Sequence, residues 1–185
     1  MYPEGHQTQV SLGRLGAVLE GEFRPGFFTG VATAVTKLLL QAQPDAAFFG
    51  EKDYQQLLVV RRLARDLDIP VAIEGVPTVR DRDGLALASR NAYLSPAERL
   101  IAPALHRVLV AAAKALADGA APEAAERRAA HALQQAGFQR VDYVAARDAE
   151  TLDEVGEDTG DPGRPRRVLA AAWLGATRLI DNVAV

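Results

Sequence analysis

The sequence predicts an α/β protein with a piece of a doubly wound parallel sheet, followed by a small α+β unit. Three observations carry this. Residues 31–76 alternate helix, strand, helix, strand, the pattern of parallel strands joined by crossover helices. The run AAFFG, residues 46–50, is short, continuously apolar and ended by glycine, which suits a strand buried on both faces. Past residue 95 the order changes to two helical stretches and then three β-like ones.

In chain order, residues 1–29 are rich in Gly and Pro, with a possible short strand at Thr8 to Val10. Residues 31–43 read as a helix. Val31, Val35, Leu38 and Leu39 recur at helical spacing and Pro44 marks the stop. After the strand at 46–50, residues 53–67 are helical, with Asp53 available as N-cap and Leu57, Val60, Ala64 and Leu67 on one side. Residues 69–79 are β-rich and close at Pro77. RDRDGLALASRN, residues 80–91, reads as a polar loop. LSPAER follows, with Ser95 as N-cap, Pro96 at the first helical position and Glu98 at the third, which makes a capping box. Its helix is predicted to run to about Ala117. A second spans Pro122 to Ala136. The β-like segments are 141–148, 166–174 and 177–185, and the acidic EVGEDTGDPGRP between the first two reads as a surface loop.

Composition narrows the function classes. The chain has 185 residues, 49% of them hydrophobic and 24% charged, with net charge −3. That is an ordinary globular balance, with no general attraction to nucleic acid or anionic membrane. No cysteine is present. Disulfides and thiolate metal sites are excluded, and a reducing, cytoplasmic compartment is the natural expectation. MYPEGHQTQV lacks the basic start and apolar core of a signal peptide. The longest unbroken apolar runs look too short for a membrane span. His6 reads as a loop residue, and His106 and His131 as surface or half-buried helix residues.

FFGEKDYQQL, residues 48–57, is the candidate site. Ligands of parallel α/β sheets bind at the carboxyl ends of strands, where the next helix points N–H groups and its positive dipole end outward. Gly50 lets backbone approach a ligand, and Lys52 supplies a mobile cation there. Asp53 can cap the helix, orient Lys52 or accept from a hydroxyl. Gln56 lies on the same helical face as Asp53. In DGLALASRN, Ser89 and Arg90 could fold over a triphosphate, Arg90 gripping oxygens in two-pronged fashion. The plainer alternatives are a simple cap with a solvated lysine, and a solvated interdomain linker. Neither G-x-x-x-x-G-K-S/T nor G-x-G-x-x-G occurs.

RPGFFTGVATAVTKLL, FFGEKDYQQL, GVPTVRDRDGLALASRNAYLSPAER and the terminal TRLIDN resemble the conserved blocks of the pantothenate synthetase (pantoate–β-alanine ligase) family, in the nucleotidyltransferase superfamily. The resemblance covers nearly the whole chain. It implies the second half of a Rossmann-like nucleotide-binding domain over residues 1–78. It also implies a C-terminal lid domain with a three-stranded antiparallel sheet over 79–185. The implied reaction joins pantoate to β-alanine with ATP, through a pantoyl-adenylate, with Mg2+ accompanying ATP and the protein usually a homodimer. By motif, Lys52 would contact phosphate, and Gly50 and Asp53 would hold the ribose and adenine side. Gln56 would bind pantoate, and Val79 would meet adenine through its backbone. Ser89 and Arg90 would bind the phosphates. Lys52 and Arg90 are thus the expected catalytic pair, facing one cleft, with no protein metal ligand expected.

Three departures stand out. Ala88 replaces one of two serines, and Phe27 replaces a histidine of RPGHF. The family's first third, with its paired-histidine motif, second pantoate glutamine and acidic metal ligands, has no counterpart in these residues. His6 in PEGH is a single histidine with no preceding apolar strand. The chain by itself is therefore expected to be inactive. The alternative is an independently folding C-terminal module with neither catalytic nor ATP-binding activity.

Overall fold

The computed structural model describes residues 1–156 and 164–185. The tip of the acidic loop expected between 154 and 165 falls at 157–163, outside the described residues. The chain divides into two compact units, Met1–Pro77 and Thr78–Val185.

In the first unit, a 3-10 turn at Arg14–Gly16 and a short helix α1 (Glu20–Phe23) precede α2 (Phe27–Ala42). Then come β1 (Ala46–Gly50), a 3-10 turn at Glu51–Asp53, α3 (Tyr54–Asp66) and β2 (Ala72–Val76). β1 and β2 pair in parallel, Phe48 opposite Glu74 and Gly50 opposite Val76. The predicted alternation is therefore present. Helix α2 begins four residues earlier than periodicity suggested, because Gly26 adopts a left-handed φ of 78° and turns the chain into the helix. No strand forms at residues 8–10. Instead the Val10 N–H donates to Thr33 Oγ1 at 2.9 Å, tying the N-terminal segment to α2.

One expectation about β1 is corrected. The strand is not buried on both faces, since Phe48 is 70% exposed. A continuous apolar run says that a strand can be covered, not that every face is.

The second unit opens with a hairpin-like turn at 79–87 and a 3-10 helix at Ser89–Tyr93. It continues with α4 (Pro96–Ile101), α5 (Ala104–Ala117), α6 (Pro122–Ala136), β3 (Arg140–Asp148), β4 (Arg166–Leu174) and β5 (Thr177–Ala184). The strands form an antiparallel sheet in the order β3-β4-β5. The capping box forms as read: the Glu98 N–H donates to Ser95 Oγ and the Ser95 N–H to Glu98 Oε2. The single helix predicted to follow is instead two. Pro103 lacks the N–H that would continue the ladder, and α4 ends two residues before it.

Pro96–Ala117 is long and apolar enough to cross a membrane by length and composition, with mean hydropathy 1.5. This corrects the impression left by shorter unbroken runs. The stretch is broken at residues 102–103, and α5 turns Leu105, Leu109 and Leu116 into a core shared with Leu133 of α6 and Val168, Ala170 and Ala172 of β4.

Candidate functional site

The end of β1 has the arrangement that makes strand ends useful in parallel sheets. Gly50 is extended (φ −67°, ψ 131°), and a Cβ built on it meets nothing within 4 Å. Open space thus lies beside the backbone where the strand stops. One 3-10 turn later the Lys52 side chain is 17% exposed and its Nζ stands 4.0 Å from Asp53 Oδ1. At that distance, with Asp53 half exposed, the pair contributes a directional bias on Lys52 and little energy. Asp53 occupies the N-cap position of α3, but its side chain makes no capping bond. The cap reading of Asp53 is corrected accordingly, and its carboxylate is turned to the lysine.

The two glutamines that follow part company. Gln55 is buried: its Nε2 donates to Leu15 O at 2.9 Å and Val18 O at 2.8 Å, and its Oε1 accepts from the Glu20 N–H at 3.2 Å. It is the clasp that fastens residues 15–20 to α3. Gln56 is half-buried, and its amide makes no hydrogen bond among the described residues. Sequence reasoning passed over Gln55. Its signal was helical spacing, because Leu58 and Val59 lie three and four residues on, so Gln55 shares a buried face and needs partners there.

Ser89 and Arg90 lie in the second unit, both exposed, in the 3-10 helix at Ser89–Tyr93. Arg90 enters no ion pair among the described residues. The segment leading to them is better organised than the loop that was expected. Arg80 and Ala86 form an antiparallel bridge, the Leu87 N–H donates to Val79 O at 2.9 Å, and the Asp81 N–H donates to Leu85 O at 2.8 Å. Leu85 and Ala86 are buried. Val79 is exposed, with its carbonyl engaged by Leu87. Arg99 reaches Asp83 at 2.6 Å and Asp81 at 2.8 Å. Its hydrogen bond holds the Asp83 carboxyl below the usual range.

Arg80 itself pairs with Asp181 at 2.6 Å. His106 Nδ1 stands 3.6 Å from the same carboxylate, and burial together with the Arg80 charge lowers the histidine pKa. The half-buried reading of His106 is met, while His131 is exposed. Asp181 was also passed over, although Leu179, Asp181 and Val183 share one face of β5. A carboxylate on a core-facing row calls for a cation.

Among the described residues, no group of three or more His, Asp or Glu is placed to hold a metal ion.

Comparison with known proteins follows the same lines. The family model described as pantoate-beta-alanine ligase matches residues 1–184. The chain is 58% identical over 185 residues to the pantothenate synthetase of Mesorhizobium japonicum and 59% identical over 186 residues to that of Caulobacter vibrioides. It is matched in full, against 64% and 65% of their lengths. The crystal structure of pantothenate synthetase from Thermus thermophilus superposes with a TM-score of 0.90 at 49% identity, covering 99% of this chain and 65% of that one. A pantoate-beta-alanine ligase from Francisella tularensis, complexed with beta-gamma ATP and beta-alanine, superposes with a TM-score of 0.75 at 28% identity, covering 99% and 60%. The chain thus spans a little under two thirds of the relatives it matches, and it belongs to the pantoate-beta-alanine ligase family.

Proposed function

We propose that this chain contributes the phosphate-gripping part of an ATP-dependent ligase that joins pantoate to β-alanine. The observation that carries this is the end of β1, where open space beside Gly50 is followed within one turn by a half-buried Lys52 that Asp53 orients. Family membership supplies the reaction, and the Francisella tularensis relative was captured with a nucleotide and β-alanine.

In the first half-reaction the pantoate carboxylate attacks the α-phosphorus, forming pantoyl-adenylate and expelling pyrophosphate. In the second, the β-alanine amine attacks the acyl carbon and AMP leaves. Such chemistry is accelerated chiefly by positioning and by neutralising charge on phosphate oxygens. Lys52 and Arg90 are the charges assigned here, with Ser89 donating to phosphate. Gly50 and Asp53 border the ribose and adenine, Val79 meets adenine through backbone, and the unengaged amide of Gln56 takes pantoate. The family resemblance implies two serines here, and Ala88 leaves one hydroxyl fewer for the phosphates.

Among the described residues no cluster of three or more His, Asp or Glu side chains is placed to hold a metal ion without ATP. The ion would come bound to ATP, and no step here runs through it. The zero cysteine count supports a cytoplasmic setting, and the uncovered face of β1 supports self-association. The 185 residues contain no paired-histidine motif, so the chain assayed alone is expected to form no pantothenate.

In the enzyme that carries these residues, Lys52→Ala should lower kcat by roughly a hundredfold or more and leave pantoate KM nearly unchanged. Equal changes in both parameters would remove Lys52 from the phosphate. A second reading, a module that folds without binding ATP, is favoured by the self-contained core of the second unit. Under that reading ATP leaves the melting temperature unmoved, because only a ligand of the native state raises it.

A further inference from the structure

Asp181 on β5 is 4% exposed, too deep to meet a ligand, yet it holds the base of the segment that presents Ser89 and Arg90. Arg80 grips it with two prongs, Nη1 to Oδ2 at 2.6 Å and Nη2 to Oδ1 at 2.8 Å. The same guanidinium donates to Gly84 O at 3.1 Å, across the turn, and to Asn182 O at 3.4 Å on the strand. One planar group therefore stitches the turn to the sheet at a fixed angle, which a point charge could not do.

The turn is also seated from the side. Gly84 has φ +94°, and a Cβ there would come within 2.9 Å of His106 Cδ2 on α5. At its other end, Asn91 Nδ2 donates to Ala86 O at 3.0 Å, and Asn91 shares the 3-10 helix of Ser89 and Arg90. A continuous path therefore runs from β5 through Asp181, Arg80, the turn and Asn91 to the two exposed phosphate candidates.

We propose that Asp181, through the two-pronged Arg80 bond, is a positioning residue that sets where Arg90 and Ser89 present their donors to ATP. This deepens the ligase reading and rests on it. A buried ion pair contributes little net stability against apolar replacements, and fixing one arrangement among several is its better-attested use.

The test compares Asp181→Asn, which keeps shape and loses charge, with Arg80→Lys, which keeps charge and loses the fork. Each is made alone and on an Arg90→Ala background. Amide exchange of the 185-residue chain is followed together with its affinity for ATP. In both variants the Asp81, Gly84 and Leu87 amides should exchange at least about tenfold faster, with α5 and α6 unchanged. ATP should bind about tenfold more weakly in the Asp181→Asn chain, and this loss should shrink clearly on the Arg90→Ala background, because most of the effect of Asp181 passes through Arg90.

Unaltered exchange in the turn, or an equal loss of affinity on both backgrounds, overturns the proposal. Should Asp181→Asn unfold the second unit, Arg80→Lys carries the same pair of outcomes. If the unmutated chain does not respond to ATP at all, the phosphate-binding role of Ser89 and Arg90 in this chain falls, and the exchange rates alone decide whether Asp181 anchors the turn.

Discussion

The two units solve the problem of covering apolar surface differently. In the second, α5 and α6 lie on one face of β3-β4-β5, and leucines from both helices meet alanines and valines of the sheet. In the first, β1 and β2 pair only with each other among the described residues, and Phe48 and Val76 remain open to solvent. The first unit nevertheless carries the strand end with Lys52, and the second carries Arg90. A chemical group can thus be in place on an element whose surroundings are bare, whereas the better-packed unit supplies a rigid mount for a single exposed guanidinium.

The contrast can be broken most forcefully in the second core. Leu109 is fully buried, so Leu109→Ala should cost about 2–5 kcal/mol. The only tryptophan, Trp173, lies on β4, so its fluorescence during urea unfolding reads this unit. A loss under about 1 kcal/mol would mean the core is looser than its burial suggests. Neighbouring glutamines give the next largest difference. Gln55→Ala strands the buried Glu20 N–H and the part-buried Leu15 carbonyl, while the Val18 carbonyl keeps the Gly21 N–H. It should cost the first unit about 1–3 kcal/mol, whereas Gln56→Ala should cost less than about 0.5 kcal/mol. Circular dichroism of the two variants settles it, and equal losses would refute the division of labour between them.

A smaller effect concerns pH. Burial and the Arg80 charge depress the His106 pKa below its ordinary 6.5. Its neutral form is the one the fold favours. The stability tied to this group is complete above pH 6.5 and declines as pH falls below that value toward the depressed folded pKa. His106→Gln should flatten this slope in Trp173-monitored unfolding, and a slope that survives the substitution would assign it to another group. Last, Phe48→Ser should leave the stability of the first unit nearly unchanged while lowering self-association in sedimentation. Substantial destabilisation would show that Phe48 is packed after all.

Much of this was legible in the residues because it is written locally. The capping box at Ser95, the strand ended by Gly50 and the helix stopped before Pro44 each depend on a few consecutive positions. What escaped was non-local. Gln55 reads as one more polar residue beside Lys52 until residues 15–20 fold back on it. Arg80 reads as loop charge until Asp181, a hundred residues later, is brought to it. The break at Pro103 was local and still missed, because the apolar spacing on both sides is continuous. Phe48 looked buried because its neighbours are apolar, and composition alone cannot say whether anything packs on that face.

The most direct measurement is an amide-shift titration of the 185-residue chain with ATP and magnesium. If Lys52 and the Ser89–Arg90 pair grip the phosphates, the amides of residues 50–53 and 89–91 should shift together and saturate at millimolar ATP. Both Lys52→Ala and Arg90→Ala should weaken that response. Saturable shifts that centre on other residues and are indifferent to both substitutions would contradict the assignment, and so would a chain whose spectrum ATP leaves unchanged.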